Sequence, residues 1–228
     1  TIKVYDTSPA PYISFVNTFG DTARSLVATA GWGRDRRDSF LYPTSGVYQR
    51  ASVEVATPVL DMRYARASYQ HQRWFPFGGG HALMLNGDIG YAHGYDGKEL
   101  PFYKNFYAGG IGSVRGYQQS TLGPRYTDSS GYVRSLGGNR RAIANAEYYF
   151  PMPGGGKDKS MRLSVFADTG YVWAADDKVR ASDLRYSAGL AFSWSSPVGP
   201  LKFSLGHALK KEEGDRTQKF QFQLGTVF

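Results

Sequence analysis

From Ser25 onward, apolar and polar residues alternate in short segments. Leu26, Ala28, Ala30 and Trp32 alternate with Val27, Thr29, Gly31 and Gly33. Ala51, Val53 and Val55 oppose Arg50, Ser52 and Glu54, and Ala65, Ala67 and Tyr69 oppose Arg66, Ser68 and Gln70. The same period of two runs through Leu83–Tyr91, Ala144–Phe150, Leu163–Trp173, Tyr186–Trp194, Leu201–Leu205 and Phe220–Phe228. A period of two is the signature of a strand whose faces meet different surroundings. Here one face carries small apolar and aromatic side chains and the other carries charges and amides. Lipid outside and water or paired charge inside would impose that division, so the pattern predicts an all-β, antiparallel transmembrane barrel with about nine to ten strands.

The intervening segments alternate in length. Tyr42–Gly46, Phe75–Gly80, Pro151–Lys159 and Pro197–Pro200 read as compact turns, whereas 6–24, 94–141, 174–185 and 208–218 are long; Pro58–Arg63 is the one short link on the long side. Short links belong on the periplasmic rim of such barrels and long ones on the outer rim. Tyr12-Ile13-Ser14-Phe15-Val16 reads as a core cap or one short helical turn.

Composition supports the barrel. The chain has 228 residues with 41% hydrophobic and 15% aromatic residues, 28 glycines, 17 tyrosines and 14 phenylalanines, and no apolar run long enough for a membrane helix. Residues 1–228 read as one domain or a fragment of one, with Thr1 expected to be an internal start because no signal peptide opens the chain. The absence of cysteine excludes disulfides and thiolate metal sites. The net charge of +8 is scattered among short polar segments, which argues against nucleic acid as a partner.

No catalytic set is legible. His71, His81, His93 and His207 are isolated, and the Gly78-Gly79-Gly80 run lacks the lysine and strand-to-helix context of a phosphate loop. Glu147 and Asp168 fall on the polar faces of consecutive strands. Paired carboxylates can serve a hydrolase, but on a barrel wall they more commonly partner arginines, so neither an enzyme nor a cofactor is expected. A barrel-embedded lipase would need a serine and a histidine in reach of each other.

The segment from Phe102 to Arg125 is rich in glycine and aromatics between two strands, and reads as a long ordered loop. At its centre, Val114-Arg115-Gly116-Tyr117 places one cation on a tight turn, as an ordinary surface loop with a chance arginine also could. Half of residues 102–141, extended at about 3.3 Å per residue, exceeds the height of a bilayer core, so the loop can fold back into the lumen.

Phe-Tyr-x-Asn-Phe-Tyr-Ala-Gly-Gly from Phe102, followed by Ser113–Tyr117 and Leu122–Arg125, resembles the loop-six signature of the BamA family of outer-membrane β-barrel assembly factors, with Tyr117 where Phe is usual. Tyr42–Gly46, Ser195–Leu201 and Phe220–Gly225 extend the resemblance, whereas Thr226 departs from the aromatic often found two residues before the end. The resemblance implies the second half of a barrel of roughly sixteen strands in a bacterial outer membrane, without POTRA domains. It implies a lateral gate formed in part by Phe220, Phe222, Leu224, Gly225 and Phe228, where client strands pair with an edge. It also places Glu147 and Asp168 as lumen partners of Arg115. Implied partners are client outer-membrane proteins, accessory lipoproteins bound through absent domains, and a bilayer with lipopolysaccharide. A polypeptide exporter of the TamA or two-partner secretion type and a passive porin are the alternatives; a plug-like loop argues against the porin.

Overall fold

The computed structural model describes residues 2–5, 8–128, 131–154, 160–197 and 199–225. Nine strands form one antiparallel sheet in chain order: β1 (Val27–Asp35), β2 (Gly46–Ala56), β3 (Tyr64–Gly78), β4 (His81–Gly94), β5 (Arg140–Pro151), β6 (Met161–Trp173), β7 (Arg185–Ser196), β8 (Gly199–Ala208) and β9 (Phe220–Leu224). The sheet is open, with β1 and β9 at its edges. The first eight strands have nine or more residues, enough for a tilted strand to cross a bilayer core, and β9 has five. No helix among the described residues is long and apolar enough to cross a membrane, which says nothing of strands.

The outward face is a continuous apolar surface. Leu190 on β7 pairs with Val165 on β6 and Leu205 on β8, and all three are exposed. Phe192 stacks on Phe203, whose ring in turn lies 6.4 and 6.5 Å from those of Phe220 and Phe222. Rows of aromatic and branched side chains across neighbouring strands stabilise a sheet, and here they run unbroken into β9. The opposite face carries Arg66, Gln70, Asn86, Asp88, Asn145 and Lys202.

Three sequence expectations need correction. The apolar stretch near Tyr12 does cap a core, Phe15 packing with Ala56, Met62 and Tyr64, but as a ten-residue helix, α1 (Ala10–Phe19), and not as one short turn. A helix set by such tertiary packing has little periodicity of its own to reveal it. The turn expected over Phe75–Gly80 is only Gly79–Gly80, because Phe75 and Pro76 still pair with Leu83 and Ala82, with the register shifting just beyond, between Pro76 and Gly78. Trp173, placed by alternation on the lipid side, is 3% exposed and donates its indole N–H to Asp183 Oδ2 at 2.9 Å. Near the rim, the loops cover faces that alternation alone assigns to lipid.

Candidate functional site

The connection 95–139 is ordered by short pairings of its own: Arg125–Thr127 with Val133–Ser135, Phe106 with Gly138, and Ala108 with Leu122. It lies against the lumen side of β5–β8. Val114, Tyr117, Leu122 and Ala108 form an apolar cluster with Ile143 of β5 and Val172 of β6. Alternation left this contact unread, since Ile143 falls on the face that otherwise carries amides and carboxylates. An apolar residue on a polar face was the available signal.

Arg115 sits below that cluster with its side chain 3% exposed. Its Nε and Nη2 donate to Asp168 Oδ2 and Oδ1 at 2.7 and 2.8 Å, a two-pronged grip, and its Nη1 donates to Glu147 Oε2 at 2.8 Å. The backbone N–H of Arg115 also donates to Asp168 Oδ2 at 3.0 Å, and the guanidinium stacks 3.6 Å from the centre of the Phe166 ring. Burial opposes the cation, but Glu147 and Asp168 outweigh it and push the Arg115 pKa up.

Each carboxylate has further donors. Ser164 Oγ donates to Glu147 Oε1 at 2.6 Å, and Lys202 Nζ lies 3.3 Å from Oε2. Asp168 Oδ1 accepts from Asn145 Nδ2 at 2.8 Å; Asn145 Oδ1 in turn accepts from Asn86 at 2.8 Å, and Asn86 from Gln70 at 2.9 Å. This amide row crosses β3 to β6 and fixes the carboxylate's orientation, because each amide spends its donor on the next acceptor. Lys202, Ser164 and the amide row were not singled out from the sequence: short polar residues on a lumen face look alike until register lines them up.

The next two residues join the loop to the last strand. Gly116–Tyr117 pairs antiparallel with Thr217–Gln218, immediately before β9. Gln221, the first inward residue of β9 and 5% exposed, donates to the Tyr117 carbonyl at 2.7 Å and accepts from Gly116 N–H at 3.4 Å. Burial and the nearby Asp215 charge push the Tyr117 phenol up to about 12, and its hydroxyl reaches the carbonyls of Tyr186 and Lys210.

The backbones touch at Gly116, where φ is +85°, and Gly206 on β8: a Cβ on Gly206 would lie 2.7 Å from Gly116 N. Neither backbone can yield easily, so Gly206→Ala is expected to lower barrel stability by about 1–3 kcal/mol and expose 95–139 to protease. Urea midpoints and limited proteolysis of the complete polypeptide would measure both, and unchanged values would refute the contact's importance.

Among the described residues β9 is paired along one side, Phe220 to Leu224 with Leu205 to Leu201. Phe220, Phe222 and Leu224 point outward at 57%, 65% and 61% exposure. Gly225 takes φ +86°, a turn out of the strand that suits glycine, with its N–H on Pro200 O at 2.8 Å. Thr226 and Phe228, named from the sequence, lie outside the described residues. Among the described residues no group of three or more His, Cys, Asp or Glu could hold a metal.

Residues 4–228 match the model of the Omp85 superfamily domain. The whole chain aligns, at 40% identity over 261 positions, with 33% of outer membrane protein assembly factor BamA of Neisseria meningitidis. At 28% identity, 90% of it aligns with 26% of BamA of Nitratidesulfovibrio vulgaris. The crystal structure of BamA from Haemophilus ducreyi lacking POTRA domains 1-3 superposes with a TM-score of 0.83 at 28% identity, covering 96% of this chain and 48% of that one. The chain thus spans about a third or less of the length of these two curated relatives.

Proposed function

Because the chain belongs to the Omp85 superfamily of outer-membrane β-barrels, we propose that it is the C-terminal part of the barrel of an outer-membrane protein assembly factor, and that it offers β9 to client strands. The observation that carries this reading is β9 itself: it has five residues, its start is held by the central loop, and its outward side chains continue the lipid-facing rows of β7 and β8. A client strand added beside so short a strand would pair through backbone groups with its apolar side chains already in lipid.

The division of labour follows from the geometry. The Arg115 cluster pins the loop to β5, β6 and, through Lys202, β8. The Gly116–Tyr117 pairing and Gln221 then hold the start of β9, and Gly225, at φ +86°, turns the chain out of the strand at its other end. In this reading the partners are client outer-membrane proteins, accessory lipoproteins bound through domains outside this chain, and a bilayer bearing lipopolysaccharide. A loop pressed into the lumen side of the wall disfavours a passive channel.

The test places a photo-crosslinking residue at Leu224 of the complete polypeptide in lipid vesicles and adds an unfolded outer-membrane barrel protein. Faster appearance of heat-modifiable, folded client together with a crosslink to one client strand is expected. Client that crosses the bilayer unfolded would instead favour an exporter.

A further inference from the structure

Asp215 lies in the 209–219 connection between β8 and β9, and its side chain is 1% exposed. Two arginines from other elements converge on it. Arg185, the first residue of β7 and 2% exposed, sets Nε 2.5 Å from Oδ2, and Arg125 of the 95–139 connection sets Nη1 3.3 Å from Oδ1. The second contact has no hydrogen-bond alignment, so Arg125 is held by charge alone. Oδ2 also accepts the N–H of Glu212 at 3.0 Å, folding the connection around the carboxylate. One buried anion between two cations from separate elements is an electrostatic clasp; without it the guanidinium groups repel, and Arg185 keeps the half-exposed Glu212 carboxylate, the Asp183 carbonyl at 2.7 Å and the Tyr171 ring, none of which reaches Arg125 in its place.

Where this clasp sits gives it a purpose. Asp215 immediately precedes Arg216, whose carbonyl accepts the Gln118 N–H at 2.9 Å, and Thr217–Gln218, which pair with the loop motif just before β9. Among the described residues no hydrogen bond or ion pair of the Arg115, Glu147 and Asp168 side chains reaches the 209–219 connection, so this clasp is a separate tether on the same loop. We propose that Asp215 is a positioning residue for client assembly: it draws the 209–219 connection between β7 and the central loop and thereby sets the register in which β9 begins. The proposal rests on the assembly reading above. It separates two jobs, with Arg115 anchoring the loop in the lumen and Asp215 joining the anchored loop to the strand that clients meet.

The test uses the complete polypeptide carrying Gln118→Cys and Arg216→Cys, adjacent positions across the tether, with disulfide yield as the register readout and vesicle assembly of a client barrel protein as the functional one. Asp215→Asn is expected to lower the disulfide yield and the assembly rate each at least fivefold while the barrel still shows a folded, heat-modifiable band. Asp215→Glu is expected to recover at least half of both, and Glu212→Gln to change neither more than twofold. Assembly that stays at the parent rate when the disulfide is lost, or a disulfide yield unmoved by Asp215→Asn, overturns the proposal. So does an equal loss with Glu212→Gln. A parent polypeptide that assembles no client removes the assembly reading and the proposal with it, whereas a parent that assembles normally while the variants behave like it removes the proposal alone.

Discussion

Arg115→Ala is expected to destabilise the barrel by on the order of 3–5 kcal/mol, the usual cost of removing one partner from a buried ion cluster. The deleted side chain makes three charged hydrogen bonds to Glu147 and Asp168 and covers the face of Phe166. After its removal Glu147 keeps Ser164 and Lys202, whereas Asp168 keeps only Asn145 and the N–H of residue 115, so Asp168 bears most of the penalty. The comparison that isolates charge is the triple variant with Glu147→Gln and Asp168→Asn, which removes the stranded anions and should recover a large part of the loss. Urea midpoints for the complete polypeptide would measure both. Arg115→Lys should fall between, because an ammonium cannot reproduce the two-pronged contact. A midpoint for Arg115→Ala equal to the parent's would show that the cluster does not hold the loop.

Leu190→Lys is the second large effect, expected at roughly 2–4 kcal/mol because a cation near the bilayer midplane is poorly solvated by lipid. Leu190 is mid-strand on β7, 56% exposed, with Val165 and Leu205 beside it on the same face. The control is Ser187→Ala on the lumen face, where no lipid penalty applies. Unaltered membrane yield and detergent stability of Leu190→Lys would mean that this face does not meet lipid.

Much of this architecture was legible beforehand, and for a definite reason. A membrane barrel has two solvents, and a period of two reports them directly, so the nine strands and their outward rows from Ala51 to Leu224 could be read without coordinates. The limits lay at the ends of strands. Trp173 breaks the rule because a loop replaces lipid there, Phe75–Gly78 because pairing continues through a proline, and Phe15 because a helix packed on Met62 and Tyr64 owes its form to those neighbours.

By itself the sequence determined the class of fold, the two faces of each strand and the loop whose arginine needs buried acceptors, since all three follow from local pattern and the cost of an unpaired charge. The resemblance already pointed that arginine to Glu147 and Asp168, and only the tertiary structure decided which other donors and acceptors surround them. Register, which no local pattern specifies between distant segments, aligned Gln70, Asn86 and Asn145 into one row ending on Asp168, brought Lys202 to Glu147, and set Gly206 against Gly116. It also brought Arg125 and Arg185, sixty positions apart in the chain, to one carboxylate at Asp215, because strand pairing and loop packing, and not proximity in sequence, determine which charges share a buried site.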